Sequence, residues 1–210
     1  MLKEYLETDI KLNKKQMICV ICLIIIASGI FGWVYEFIWY YINSGFKTFY
    51  MRGSNYLPWI NIYAYGSFLI LFLCYKKRKH PFQVFLISII STGILEYFSG
   101  LILYDILGWT RCWSYNEEIW NFGNIGGFVC LRSVLFFGLS GLLLIYGMVP
   151  FFINISRKDK NNILFIISII LCSIILIDEL HNLVLFRIDH LPRARDVYKT
   201  IGFKYIYFTK

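Results

Sequence analysis

Glu36, Glu96, Asp178, Glu179 and Arg132 lie inside long apolar stretches. A charge in lipid costs several kcal/mol or more, so it normally faces a partner or a wet cavity. Groups of both signs at partial depth are the chemistry of a substrate or ion path. Two spacings orient them. Ser28, Gly32, Glu36 and Tyr40 recur every four residues, and so do Ser88, Thr92, Glu96 and Gly100. Such a repeat lines one face of a helix. Small residues let helices approach closely and polar ones hydrogen-bond across the contact. Both glutamates are therefore expected to face inward, either in salt bridges with Arg52 or Arg132 or against a substrate. Gly138 and Gly141 have the makings of a similar close contact.

Asp178, His181 and Asn182 share one helical side at i, i+3 and i+4. With Glu179 they are the residue types that bind a metal or relay protons. They are equally the polar end of a span. A metal centre needs more ligands in defined geometry, so no metal is assigned.

The elements that must hold these groups are five apolar runs, at roughly 17–42, 55–75, 82–107, 127–155 and 163–187. Each has about the 20 residues a helix needs to cross a lipid core of about 30 Å. The chain has 210 residues, 58% hydrophobic and 20% aromatic, and the excess over a soluble domain comes in blocks. Blocks this continuous are helices, not alternating barrel strands. The expected class is an all-α, polytopic transmembrane helix bundle of about five spans. Residues 1–16 form an amphipathic N-terminal flank, 17–187 the transmembrane domain and 188–210 a basic C-terminal tail. The first run is too long for a signal-peptide core, so insertion through the first span is expected.

The net charge is +8. The basic residues sit between the spans, which signals topology rather than nucleic-acid binding, and favours anionic lipid. Lys11, Lys14 and Lys15, then Lys76, Lys77, Arg78 and Lys79, then Arg157, Lys158 and Lys160 fall on one side if all five runs cross. Positive short loops place that side, with the N-terminus, inward. The tail, with Arg187, Arg193, Arg195, Lys199, Lys204 and Lys210, then falls on the opposite side and runs against the rule. A fifth run that does not fully cross, or a reversed orientation, would remove the conflict. Cys19 and Cys22 are spaced C-x-x-C inside an apolar run without a second pair, the context of packing residues rather than of redox or metal chemistry. Cys112 alone lies in a loop.

Alternation of the spans sends all five buried charges toward one end. At 1.5 Å per residue, Glu36 lies about 9 Å from it, Glu96 about 16 Å and Arg132 about 8 Å. Trp33, Trp39, Trp59, Trp109, Trp113 and Trp120 fall at or toward the same end. No G-x-x-x-x-G-K-[ST], G-x-S-x-G or H-E-x-x-H run is present, so no nucleotide hydrolysis by a P-loop, hydrolase elbow or zinc helix is expected. No cofactor is implied. Gly123, Gly126 and Gly127 read as a flexible lead into the fourth span.

Several segments together resemble a family of bacterial membrane proteins, the putative ABC-transporter type IV or CmpB-type family. Gly32-Trp33-Val34-Tyr35-Glu36 is similar to its G-W-x-x-E, and Arg52-Gly53, Pro58 and Ile62-Tyr63 to its N-R-G…G-P…P-I-Y-G. Glu96-Tyr97-Phe98-Ser99 resembles E-Y-x-x-S, and Trp113-Ser114-Tyr115 the later part of W-W-D-Y-S. Asn124 to Leu131 resembles N-I-N-G-R-I-C-L. The likeness covers about residues 29–155, with Asp178 as a further candidate. Tyr104, Ser114 and Arg132 stand where the family has acids, Phe128 where it has arginine, and Cys112, Asn61 and Ala64 where it has Trp, Pro and Gly. The cation is thus expected to have moved from 128 to 132, one turn along the same helical face.

The resemblance implies a permease-like subunit of the cell membrane, multi-pass, with energy from a separate ATPase. It adds Tyr63, Tyr97, Trp113, Tyr115 and Asn124 to Glu36, Arg52, Glu96, Arg132 and Asp178 as candidate lining of a polar vestibule. Two other readings stand beside it. A membrane enzyme or binder could hold an anionic lipid head with Arg132, Arg52 and Arg111, with Trp113 and Trp120 at the interface and Glu96 as base. A structural assembly protein would use the charges only to lock helices together. Five spans enclose little volume, so a homo-oligomer or a partner subunit fits each reading.

Overall fold

A computed structural model describes residues 2–8, 10–108, 111, 113–116, 118, 120–186 and 190–206. Trp109, Cys112, Arg187 and Lys210, singled out above, lie outside the described residues. The described elements are helical. The extended pairing among them is limited to two isolated bridges, Tyr50 with Lys204 and Ile125 with Val129.

Helix α1 spans Leu2–Glu7 and α2 spans Lys14–Asn43. The start of α2 is fixed by Asn13, whose side chain accepts from the Gln16 N–H (2.9 Å) while the Gln16 side chain accepts from the Asn13 N–H (3.1 Å). This reciprocal pair satisfies donors that a helix start leaves open. Helix α3 is Asn61–Cys74, and α4 is Pro81–Gly100, continued by a π-helical stretch Leu101–Ile106. Helix α5 (Leu131–Leu143) runs through a second π stretch, Leu144–Met148, into α6 (Val149–Lys158). Pro150 explains that change of winding, since its ring clashes with the carbonyl four residues back and it offers no N–H. Helix α7 is Ile163–Leu180, followed by the π stretch His181–Leu185 and, after the tail turns back, α8 (Ala194–Thr200).

Four of these helices are long and apolar enough to cross a membrane: Lys14–Asn43, Pro81–Ile106, Leu131–Lys158 and Ile163–Leu185. The second expected span differs. Its helix begins at Asn61, not 55, and its 14 residues rise only about 21 Å. Residues 53–60 are non-helical, because Pro58 resists helix before it and because Trp59 and Ile60 bond to α2 instead. The Trp59 indole N–H donates to the Ile25 carbonyl (3.2 Å), and the Ile60 N–H donates to the Gly29 carbonyl (3.1 Å). Trp59 is therefore a core residue at mid-depth, 2% exposed, rather than a boundary tryptophan. The fourth span likewise starts at Leu131 and not 127. Gly123, Gly126 and Gly127 have positive φ in an ordered turn, where the Ile125 N–H donates to the Val129 carbonyl (2.9 Å).

Helices α2, α3, α4 and α5 pack in sequence, and α2 also contacts α6 and α7. Both four-residue stripes are inside: Ser28, Gly32 and Tyr40 on α2, and Ser88, Thr92, Glu96 and Gly100 on α4, are buried. Close approach is the reason for two glycines. A Cβ at Gly32 would overlap the Tyr63 ring, and one at Gly141 would overlap Ser88. The five described cysteines are free and buried. At one end the basic loops meet α1: the Arg78 guanidinium donates to the carbonyls of Tyr5 (2.7 Å) and Thr8 (3.0 Å), and Arg157 pairs with Glu4 (3.2 Å). Burial raises the Tyr5 phenol well above its usual range. The tail returns to the other end, where the Tyr56 hydroxyl donates to the Pro192 carbonyl (2.7 Å) and Met51 bonds Lys204. Basic loops and basic tail thus sit at opposite ends of the bundle.

Candidate functional site

The end that carries the tail also gathers the charged residues. Arg52, in the loop after α2, donates to the Glu36 carboxylate through Nε (2.8 Å) and Nη2 (2.7 Å). Its guanidinium lies 4.0 Å from the Tyr40 ring centre. The Tyr40 hydroxyl donates to Glu118 Oε1 (2.6 Å), and Glu118 Oε2 pairs with Arg132. Arg132 in turn lies over the rings of Trp39 (4.4 Å) and Tyr115 (5.5 Å). These contacts form a continuous girdle from Glu36 to Arg132 that closes α2 and α5 with the two loops between them.

Glu96 joins differently. Its carboxylate accepts from the Tyr115 hydroxyl (2.6 Å) and the Ser133 hydroxyl (2.9 Å) and forms no salt bridge among the described residues. Burial first, and the adjacent Glu96 next, push the Tyr115 phenol well above its ordinary value. It therefore stays a donor. A cavity of about 50 Å³ lies within this group, bounded by Glu36, Trp39, Tyr63, Glu96, Glu118 and Arg132. It has room for a water or two. The Trp39 indole N–H and the Arg132 Nε–H, both buried, have no protein acceptor among the described residues.

A second cavity, of about 590 Å³, lies between α2, the ends of α4 and α7, and the tail. It exists because α3 is short. The polypeptide before Asn61 is drawn inward onto α2, so the space above the α3 start is left to side chains. Glu36 and Arg52 border it, as do Asn61 and Tyr65 of α3, Glu179 and Asn182, and Arg193 and Arg195 of the tail. The π stretches of α4 and α7 supply Leu103 and Leu183 to its wall, and Leu107 follows the first of them. Stretches wound this way recur at functional sites.

Of the ten residues expected at a polar vestibule, Glu36, Arg52, Tyr63, Glu96, Trp113, Tyr115 and Arg132 border one of the two cavities. Three do not. Asp178 accepts from the backbone N–H groups of Tyr56 (3.0 Å) and Leu57 (2.8 Å) and from Asn182 (2.7 Å), and so anchors the loop that precedes α3. Asn124 bonds Asn116 (2.6 Å) and accepts from the Gly127 N–H (2.9 Å) within its own loop. Tyr97 packs edge-on to Phe98 and Phe128. The expected shift of a cation from 128 to 132 along one helix face does not hold. Phe128 precedes the helix, and the cation over its ring (4.6 Å) is Arg111. Sequence reasoning missed Glu118, whose only signal was an acid in the aromatic loop at the arginine's end. It also missed Asn61 and Tyr65, which donate to Glu179.

A bundle of apolar helices with a charged girdle and a lined cavity at one end defines a polytopic integral membrane protein. The family described as Putative ABC-transporter type IV matches residues 11–183, and the chain belongs to it. No curated protein and no solved structure matches.

Proposed function

We propose that the chain is the membrane-embedded, permease-like subunit of a transporter in the cell membrane, with the 590 Å³ cavity as its substrate site. The observation that carries this reading is the placement of that cavity. It lies at the ends of spanning helices and joins polar groups to an apolar wall, which suits a solute leaving or entering the bilayer region. The girdle of Glu36, Arg52, Glu118 and Arg132 frames the site and fixes the loops around it. Its charges are already paired, and the cavity within it holds little more than water. This favours the cavity over the girdle as the place where substrate binds. Energy comes from a separate ATPase, since the sequence carries no P-loop. The basic loops at the opposite end face the cytoplasm and anionic lipid, within reach of such a partner.

Purification in mild detergent, with uptake measured in a deletion strain, tests the reading. A copurifying nucleotide-binding subunit and a specific uptake defect are expected. Absence of both overturns it.

A further inference from the structure

We propose that the larger cavity takes a zwitterion, with its ammonium on Glu179 and its anionic group on Arg193 and Arg195. This deepens the permease reading by naming the substrate class, and it rests on that reading.

Glu179 is 4% exposed and borders the cavity. Its Oε1 accepts from Asn61 Nδ2 (3.2 Å) and from the Tyr65 hydroxyl, both neutral donors. Among the described residues no hydrogen bond reaches Oε2 and no salt bridge reaches the carboxylate. The contrast with Glu36 is direct, because that acid borders the same cavity already paired with Arg52. A buried carboxylate without a cation is costly. A ligand ammonium on the open oxygen removes that cost. Tyr65, Tyr104 and Trp113 line the same space.

The other end of the cavity is cationic. Arg193 and Arg195 flank Ala194, whose N–H donates to Asn182 Oδ1 (2.8 Å). Asn182 follows Glu179 by three residues, about 4.5 Å along the helix. The backbone that carries the arginines is therefore held roughly one turn beyond the acid, and both side chains line the same cavity. Arg193 lies over the Phe186 ring (4.5 Å), and its contact with Asp196 is long (3.5 Å) and exposed, so it retains N–H groups for an anion. A plain cation would meet two arginines at the rim, and a plain anion would meet Glu179 within. A ligand with an ammonium at one end and an anionic group at the other satisfies both ends. Leu103, Leu107 and Leu183 then receive its apolar part. Short apolar peptides and the headgroup of an ethanolamine phospholipid share this chemistry.

The test uses the full chain in nanodiscs of phosphatidylglycerol. One arm titrates trileucine and N-acetyl-trileucine by calorimetry. The other measures, by native mass spectrometry, retention of phosphatidylethanolamine against phosphatidylglycerol. Binding in at least one arm is expected, and the active arm identifies the source. Glu179→Gln should weaken it by about tenfold or more, the scale of one charge-assisted contact. The Arg193→Gln/Arg195→Gln pair, in the tail and away from the bundle core, should weaken it as well and serves if Glu179→Gln does not fold. Equal binding of the acetylated peptide, no preference between the lipids with no peptide binding, or affinity unchanged in both variants overturns the proposal. Such a failure alongside an intact uptake defect leaves the permease reading standing. Zwitterion binding without partner or uptake removes that reading and keeps the site.

Discussion

Removing Arg132 and Glu118 together should destabilise the protein no more than removing Arg132 alone. The two side chains are 17% and 9% exposed, so neither is well solvated. Breaking such a pair by deleting one partner costs about 3–5 kcal/mol, because a charge is left buried. Here the lower end applies to Arg132→Met, since Glu118 keeps the Tyr40 hydroxyl as a donor. Glu118→Gln should cost less, about 2 kcal/mol, because the Trp39 and Tyr115 rings still face the guanidinium and each contributes on the order of 1 kcal/mol. The double variant Arg132→Met/Glu118→Gln buries no unpaired charge. Its loss should fall below the sum of the singles by about 2 kcal/mol, within the range measured for contacting groups. The assay is equilibrium unfolding of purified protein in mixed micelles, following the tryptophans. Two losses that add to within about 0.5 kcal/mol would show that the side chains do not share an environment, and the girdle would be wrong at its strongest point.

Gly32→Leu forces a side chain into the Tyr63 ring and should cost about 1–3 kcal/mol or more by overpacking, read in the same unfolding assay. Asp178→Asn loses acceptor capacity for the N–H groups of Tyr56 and Leu57, at about 1–3 kcal/mol, and should speed proteolytic cutting in residues 44–58. The Tyr115 phenol is held well above its usual value by burial and by Glu96. Its contribution is thus complete below the unfolded value of about 10 and is lost as pH rises further toward the folded value. Unfolding measured upward from pH 8 should show a fall in stability above about pH 10 that is shallower in Tyr115→Phe. Single cysteines at Lys79 and Lys199, in a chain cleared of native cysteines, should label from opposite sides, with position 199 open to an external impermeant reagent. Labelling of both from one side refutes the crossing of α7.

Much of the fold was legible because lipid leaves few options. Long apolar runs must be helices, and the repeats at Ser28 and Ser88 had to turn inward once Glu36 and Glu96 were on the same faces. The breaks were less legible. The 55–60 segment carries Leu57, Trp59 and Ile60 ahead of α3 and so extends its apolar run, but Pro58 and the bonds of Trp59 and Ile60 to α2 keep it out of the helix. Partners were hardest. Arg132 had two glutamates toward the same end, Glu36 and Glu96, yet pairs with Glu118 from a loop. Periodicity ranks residues along one helix, but it does not rank a loop that folds back over helix ends. Asp178 misled for the same reason. A carboxylate at depth suggests a cavity, and here its acceptors are consumed by two backbone N–H groups that a sequence does not display.

The distribution of satisfied charge separates stability from function at this end of the molecule. Each charge of the girdle has its counter-charge or ring on another segment: Arg52 joins loop to α2, and Arg132 joins α5 to the loop before it. Substitutions there should move unfolding first and activity only through it. Glu179 lacks such a counter-charge among the described residues and borders the larger cavity. Replacing it by glutamine keeps the Tyr65 and Asn61 contacts available and relieves a desolvated charge. Stability should therefore hold or rise while ligand binding falls. A residue whose loss strengthens the fold and weakens the site has been kept at a cost, as functional positions in proteins commonly are.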